Sequence, residues 1–381
     1  MMELKPTITE RRRQTRNTMY RLIYEAPHPV SKQQIARAAQ YSLPTVHQNI
    51  AELLEAGLIR PREIQKSTGG RPAVGYTINE KIRFSVGIAV SAYHLRILAV
   101  DLSQNEIAHK EIRQEMQEGD QGEMIGKMIS SELDTFLKEN NLEPAKLLGV
   151  GITFPGVIDR EHDAVVFSPT MNMKDLELGR VREQVPYPVF IENDSTSGGA
   201  AEWLGLEPGD REDFVYLFLE NGIGGAVFID GKPYLGRSGR SGEFGHMCIV
   251  PGGRKCNCGK RGCLEAYISA FRYTSDLGIT RDEFFEGLGA GKKEYEDLWN
   301  EVLDYLSIGI SNLRLAFDCD IILGGFVSRY LEPWLPALKE RIVERSPFES
   351  DADFVKLGRY PTKAGMMGVA WHFVQEFIEK I

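Results

Sequence analysis

The 381-residue sequence predicts an α/β protein in two parts: a small basic helical unit over residues 1–80 and a two-lobed α/β body over 81–381. Three observations carry this expectation. Residues 10–56 hold three short helix patterns separated by proline and polar caps. Residues 84–324 repeatedly set an apolar strand run against a glycine turn and a helix pattern, the ordering that packs as α/β layers. Charge divides at the same place. Residues 1–75 contain 12 Lys/Arg against 6 Asp/Glu, net +6, and the remainder contains 33 against 48, net −15. A basic unit on an acidic body concentrates attraction for phosphate at one end.

No run reaches the roughly 18 apolar residues of a membrane span, and the opening MMELKPTITERRR lacks the apolar stretch of a secretory leader. A cytoplasmic location and no membrane partner are expected. Five cysteines, four of them within 248–263, read as a reduced metal site rather than a disulfide framework.

Residues 10–25 read as the first helix, with Met19, Leu22 and Ile23 on one stripe and Pro27 and Pro29 ending it. Ser31 caps a second helix, with Gln34 completing a capping box. Ser42 caps a third, running to about Ala56, with Pro44 in its first turn and Gly57 as its stop. This is the layout of a helix-turn-helix. Thr45, His47, Gln48 and Asn49 are the polar candidates on the third helix for operator DNA. Gln48 and Asn49 carry amides suited to base edges, while Thr45 and His47 suit phosphate. Residues 60–79 read as a hairpin wing turning at Gly69 and Gly70, and Arg71 is placed to enter a minor groove. Arg11–Arg13 and Arg16 supply backbone attraction. A solvated helix face and a loose linker are the plain alternatives for these residues.

In the body, residues 84–101 read as a hairpin, residues around Ile107 as a third strand, and 121–140 as a helix. LLGVGITFPGVID joins a buried strand to a Pro155-Gly156 turn, and PVFIEND is a buried strand ending in polar groups. Asp194 can take a proton from a substrate hydroxyl or hydrogen-bond a ligand without transfer. The pair Asn193-Asp194 is also what a helix start needs, with Asp194 or Ser195 as cap. Glu243, His246 and Glu265 lie beside glycine turns, where long polar side chains can converge on a polyhydroxyl ligand or support the neighbouring loop.

CNCGKRGC sets Cys256, Cys258 and Cys263 in a Cys-x-Cys-x4-Cys pattern, with His246 ten residues before Cys256. Three thiolates and an imidazole match structural Zn2+ in the loop 246–263. Four protein ligands leave no open position for a metal-bound water, so the ion is expected to hold the loop rather than to catalyse. Cys248 is read as a bystander, and Cys319 precedes a core strand.

With these motifs in hand the chain resembles the ROK family of repressors, open reading frames and sugar kinases, in its transcriptional-repressor branch. GEFGHMCIVPGGRKCNCGKRGCLEAY is the most specific segment, joined by ITFPGVID, VFIENDSTSGGAAEWLG, NGIGGAVFIDG and IILGG. The resemblance implies an actin-like sugar-kinase fold, ribonuclease H-like, preceded by a winged helix-turn-helix. It implies a homodimer or dimer-based tetramer. It also implies that Asn193, Asp194, Glu243, His246, Glu265 and, less directly, Asn172 contact a sugar or sugar phosphate. Asp194 stands at the kinase base position, and His246 is shared between sugar and zinc.

The nucleotide side departs from the family pattern. Ala89-Val90-Ser91-Ala92-Tyr93 replaces an Asp-x-Gly-Gly-Thr-like segment, and Glu220 opens the second phosphate segment, where it would repel phosphate. The expectation is therefore a regulator that is not an enzyme: a repressor of carbohydrate-utilisation genes whose operator affinity changes with sugar in the interlobe cleft. A regulator that is also an ATP-dependent sugar kinase, and a DNA-binding protein independent of ligand, are the alternatives.

Overall fold

The computed structural model describes residues 7–64, 73–116 and 122–381. Three helices open the chain: α1 (Ile8–Tyr24), then, after the two-residue strand β1 (Val30–Ser31), α2 (Lys32–Ala39) and α3 (Leu43–Glu55). Thr7 and Ser31 each close a capping box, with Glu10 and Gln34, and Ser42 caps α3 ahead of Pro44. Gly57, at φ +69°, turns the chain out of α3 into β2 (Ile59–Ile64), which pairs antiparallel with β3 (Ala73–Ile78). β1 adds to the other edge of β3, giving the order β1-β3-β2 and a winged-helix arrangement. The loop with Gly69, Gly70 and Arg71 lies outside the described residues.

The first lobe is a five-stranded sheet of order β11-β7-β4-β5-β6, built from β4 (Phe84–Val90), β5 (His94–Asp101), β6 (Glu106–Arg113), β7 (Leu147–Phe154) and β11 (Val189–Asn193). β4 and β7 are parallel neighbours, as are β7 and β11, and both are nearly all apolar because both faces are covered. Helix α4 (Gly122–Glu139) buries Ile125, Ile129, Leu133 and Phe136 in this lobe's core. A small antiparallel sheet of β8 (Val157–Asp159), β9 (Ala164–Ser168) and β10 (Met173–Glu177), with α5 (Leu178–Glu183), sits between β7 and β11 in sequence. Helix α6 (Asp194–Gly205) leaves the end of β11.

The second lobe repeats the plan. Its sheet contains β12 (Phe214–Leu219), β13 (Ile223–Ile229), β14 (Lys232–Pro233), β15 (Asp320–Gly324) and β16 (Val355–Leu357), in the order β14-β13-β12-β15-β16. Against it lie α7 (Glu265–Ile268), α8 (Arg281–Gly289), the 25-residue α9 (Lys293–Phe317) and α10 (Leu335–Arg345). Trp299, Leu303, Leu306 and Ile310 form the buried stripe of α9, at the three-and-four spacing of an amphipathic helix.

The last helix, α11 (Ala364–Lys380), returns to the first lobe and lies across β4 and β7. Glycine permits this approach. A Cβ on Gly87 would run into the Met366 carbonyl, and one on Gly151 into Val369. The start of α11 also joins the lobes, since Ala364, Met366 and Met367 share one buried cluster with Leu98 and Val100 of β5 and with Phe214 and Tyr216 of β12. Its far end enters a different cluster. Trp371, Val374 and Ile378 pack there with Met19, Tyr20 and Ile23 of α1. Among the described residues no helix is long and apolar enough to cross a membrane.

Candidate functional site

A cavity of about 270 Å3 opens between the lobes, lined by Thr153 and Gly156 of the first lobe, Gly222 and Gly224 of the second, and Ala364–Met366 of α11. That is near the lower end of the range for small-molecule pockets. Asn193, Asp194, Glu243, His246 and Glu265, all expected at a ligand site, line it together.

The cap of α6 is Asn193, not Asp194 or Ser195 as expected from the sequence. Its Oδ1 accepts from Thr196 N at 3.0 Å, and its Nδ2 donates to the Gly156 carbonyl at 2.9 Å, tying the helix start to the Pro155-Gly156 turn. Asn193 can do both because its amide offers an acceptor and a donor on one plane. Asp194 is thereby the first residue of the helix, with its carboxylate at the cavity and Oδ1 accepting from Ser195 N at 2.8 Å. Burial, reinforced by Glu220 and Glu243, pushes its carboxyl up to about 7, against the pull of the Ser195 bonds. Such a group takes a proton near neutrality, as a base or as a reader of hydroxyls must.

Glu265 is held by structure on both sides. Oε2 accepts from Ile223 N at 2.9 Å in the glycine turn, and Cys256 Sγ donates to Oε1 at 3.5 Å. Glu243 lies 3.8 Å from His246 Nε2, and burial raises its carboxyl. The other ring nitrogen of His246, Nδ1, lies 3.8 Å from Cys256 Sγ. One imidazole therefore faces the cavity carboxylate with one edge and the cysteines with the other.

His246, Cys256, Cys258 and Cys263 present donor atoms all within 4.8 Å of one another. The Cys258–Cys263 sulfur separation is 3.8 Å. A tetrahedral ion with bonds of about 2.3 Å to sulfur requires edges of about 3.8 Å, so the donors fit a metal of that geometry. Isolated bridges Cys248↔Cys263 and Lys255↔Arg261 shape the loop around them.

Two expectations are corrected by placement. Asn172 lies not in the interlobe cavity but in a separate opening with Lys174, Arg180 and Asn257, because the chain turns there through a left-handed φ of +51°. Asn49 is 9% exposed and donates from Nδ2 to the Thr45 carbonyl at 2.9 Å, so it belongs to the packing of α3 rather than to an outward face. Gln48 and His47 are exposed as expected, beside Glu52 and Lys32 respectively, and Thr45 is half-buried against Ser42. Arg16 is partly engaged, its Nε and Nη2 donating to the Ile381 carbonyl at 3.3 and 3.2 Å.

The cavity also contains Arg96 and Arg281, which sequence reasoning missed. Arg96 carried a signal, since His94 and Arg96 put two basic groups on one face of an otherwise buried strand. Arg281, at the start of α8, carried none.

Comparison with known proteins places these observations. The ROK family model matches residues 85–376, and the chain belongs to that family. It is similar to the xylose repressor of Bacillus subtilis, 31% identical over 310 residues that cover 77% of each chain. A crystal structure of a ROK family transcriptional regulator homologous to Escherichia coli Mlc superposes with a TM-score of 0.75 at 24% identity, covering 97% of both chains. That match shows one fold shared across nearly the whole of both chains.

The chain is also similar to the glucokinase of Halalkalibacterium halodurans, 25% identical over 77% of this chain and 96% of that protein. This overturns the expectation that the chain is not an enzyme: sugar phosphorylation is plausible on this scaffold, and Ala89, Ser91 and Glu220 do not rule it out. The structure supplies a reason. Glu220 is not a free anion facing phosphate, for Oε2 accepts from Arg281 Nη1 at 3.3 Å and Oε1 from Phe326 N at 2.9 Å. Burial raises its carboxyl against the pull of Arg281 and Arg96.

Proposed function

We propose that the chain is a sugar-responsive, DNA-binding transcriptional regulator that represses carbohydrate-utilisation genes. Residues 1–80 read operator DNA through Thr45, His47, Gln48 and Arg71, and residues 81–381 bind the effector. Asn193, Asp194, Glu243, His246 and Glu265 take the hydroxyls of a sugar. Zn2+ on His246, Cys256, Cys258 and Cys263 fixes the orientation of His246 and holds Glu265, two residues after Cys263, in position. The working form is a homodimer or a dimer-based tetramer, which presents paired readers to a symmetric site.

The observation that supports a link between the two parts is α11. Its first residues line the sugar cavity, and its last turn holds the DNA-reading unit, with Asn17 donating to the Ile378 carbonyl and Arg16 to Ile381. A lobe movement around sugar shifts α11 as a body, and α1 moves with it. This is coupling only if sugar prefers one of two DNA-binding states. The test is fluorescence anisotropy of labelled genomic fragments with zinc-loaded protein against xylose, glucose, N-acetylglucosamine and their phosphates. Release of a specific fragment by one sugar supports the reading. Fragments bound equally with every saturating sugar would sink it.

The position of Asp194 supports a second activity, phosphoryl transfer to the bound sugar. ADP release from magnesium-ATP, dependent on sugar and lost in Asp194→Asn, tests it. No sugar-dependent release across the panel disproves it.

A further inference from the structure

The cavity is lined by charges of both signs. Asp194, Glu243 and Glu265 line it, and so do Arg96 and Arg281, which both act on the charge of the buried Glu220. Arg96 stands directly across the β4–β5 ladder from Ala89. Opposed residues of an antiparallel pair project from the same face, with Cβ atoms roughly 5 Å apart. Ala89 is where the family pattern sets a carboxylate, so the chain has a fixed cation beside a position that ordinarily carries an anion.

Neither guanidinium is fully committed. Arg96 Nε is buried with no hydrogen-bond partner, and lies 3.4 Å from Glu111 Oε1 outside hydrogen-bonding alignment. Arg281 makes one side-chain hydrogen bond, from Nη1 to Glu220, and its plane rests 3.9 Å from the centroid of Phe326. A guanidinium has five N–H donors in a rigid fork. Stacking on an aromatic face fixes the fork before any ligand arrives, and the remaining donors suit two oxygens of a tetrahedral anion. A neutral sugar brings no charge to match the donors that Glu220 leaves free.

We propose that Arg96 and Arg281 form an anion subsite for the phosphoryl group of a sugar monophosphate, with the sugar ring against Asp194 and Glu243. The inference rests on the sugar-binding reading of this cavity and narrows its ligand from sugars in general to phosphorylated ones. The two guanidiniums supply as fixed charge what a bound cation supplies in a phosphate site.

The test is isothermal titration calorimetry on the full zinc-loaded chain with inorganic phosphate, with glucose and glucose 6-phosphate, with N-acetylglucosamine and its 6-phosphate, and with the ATP analogue AMPPNP. The variants are Arg96→Gln and Arg281→Gln, each checked for folding by thermal denaturation. Arg281→Gln unpairs the buried Glu220 and stands to unfold. Arg96→Gln leaves Glu111 beside His94 at 3.6 Å and Glu220 still bonded to Arg281, so it decides the matter alone if the other fails.

The expected result is a phosphorylated sugar binding at least ten-fold tighter than its parent, with the gain abolished in Arg96→Gln while the parent sugar binds as before. Parent sugar binding with no gain from phosphate overturns the subsite and leaves the sugar reading standing. Arginine-dependent binding of inorganic phosphate with no sugar bound in any form keeps the subsite and removes the sugar reading. Arginine-dependent binding of AMPPNP, with no gain for any sugar phosphate, assigns these arginines to a nucleotide and overturns the inference. The same holds if inorganic phosphate and the sugar phosphates all fail to bind.

Discussion

At the scale of single residues the site turns on ionisation. Asp194 is held near 7, far above its ordinary 3.8, chiefly by burial. A carboxyl raised in the folded state is protonated there while its unfolded counterpart is ionised. The unfolded chain therefore binds fewer protons between about 4 and 7, and this group's contribution to stability is lost as pH rises through that window. Asp194→Asn keeps the acceptor for Ser195 N and removes the ionisation. It is expected to raise the melting temperature relative to wild type at pH 8 and to leave it unchanged at pH 4, as thermal denaturation at the two pH values shows. An equal shift at both would place the effect in packing instead. On the DNA-reading helix, Asn49 and Gln48 separate packing from recognition. Asn49→Ala removes a part-buried bond to Thr45 and is expected to cost about 1 kcal/mol of stability. Gln48→Ala leaves stability unchanged and weakens specific DNA binding. Denaturant titration and anisotropy read the two effects apart. The sequence showed both as amides one residue apart. Only the helix phase set by the Ser42 cap turns Asn49 inward.

At the scale of elements, most of what positions the site was legible. The three capped N-terminal helices, the β4–β5 hairpin, the strand ending at Asn193 and the long α9 follow from caps and apolar spacing, which are local signals. The metal-donor set was legible for the same reason, since its spacing is nearly contiguous. What was not legible depends on distant chain. The helix AGMMGVAWHFVQEFIEK is apolar on several sides, and nothing in it says that one end meets a sheet and the other a separate unit. The glycines that seat it, Gly87 and Gly151, lie 279 and 218 residues before Met366 and Val369, which they meet. Gly151→Ala drives a methyl into Val369 and is expected to cost about 1–3 kcal/mol through overpacking. It should also weaken the response of DNA binding to sugar, because α11 no longer lies flat. Denaturant melts together with anisotropy measure both, and a destabilised variant with an undiminished sugar response would remove α11 from the coupling. The metal loop makes a sharper statement. Cys258→Ser is expected to reduce bound zinc from one per chain to a small fraction, measured by elemental mass spectrometry. It should also weaken sugar binding by loosening His246. Full sugar affinity in a zinc-free chain would confine the ion to the loop.

At the scale of the whole molecule, two lobes of similar plan close on one cavity, and one helix runs from that cavity to a basic unit. The charge division seen in the sequence fits this arrangement, because phosphate attraction sits away from the acidic effector body. The legible part here was the class of architecture. The shared core of α1 and α11 was not, since Met19, Tyr20 and Ile23 look in sequence like an ordinary inward stripe. The central claim is that effector and DNA share one equilibrium through that core. Linkage makes it measurable without knowing the sign of regulation, since the factor by which sugar changes DNA affinity must equal the factor by which DNA changes sugar affinity. The most direct measurement is a calorimetric titration of the best-binding sugar into the protein alone and into the protein saturated with its operator fragment. The account predicts that the two sugar affinities differ at least five-fold, by the factor found for DNA in the reverse experiment. Equal sugar affinities, with and without DNA, would contradict it.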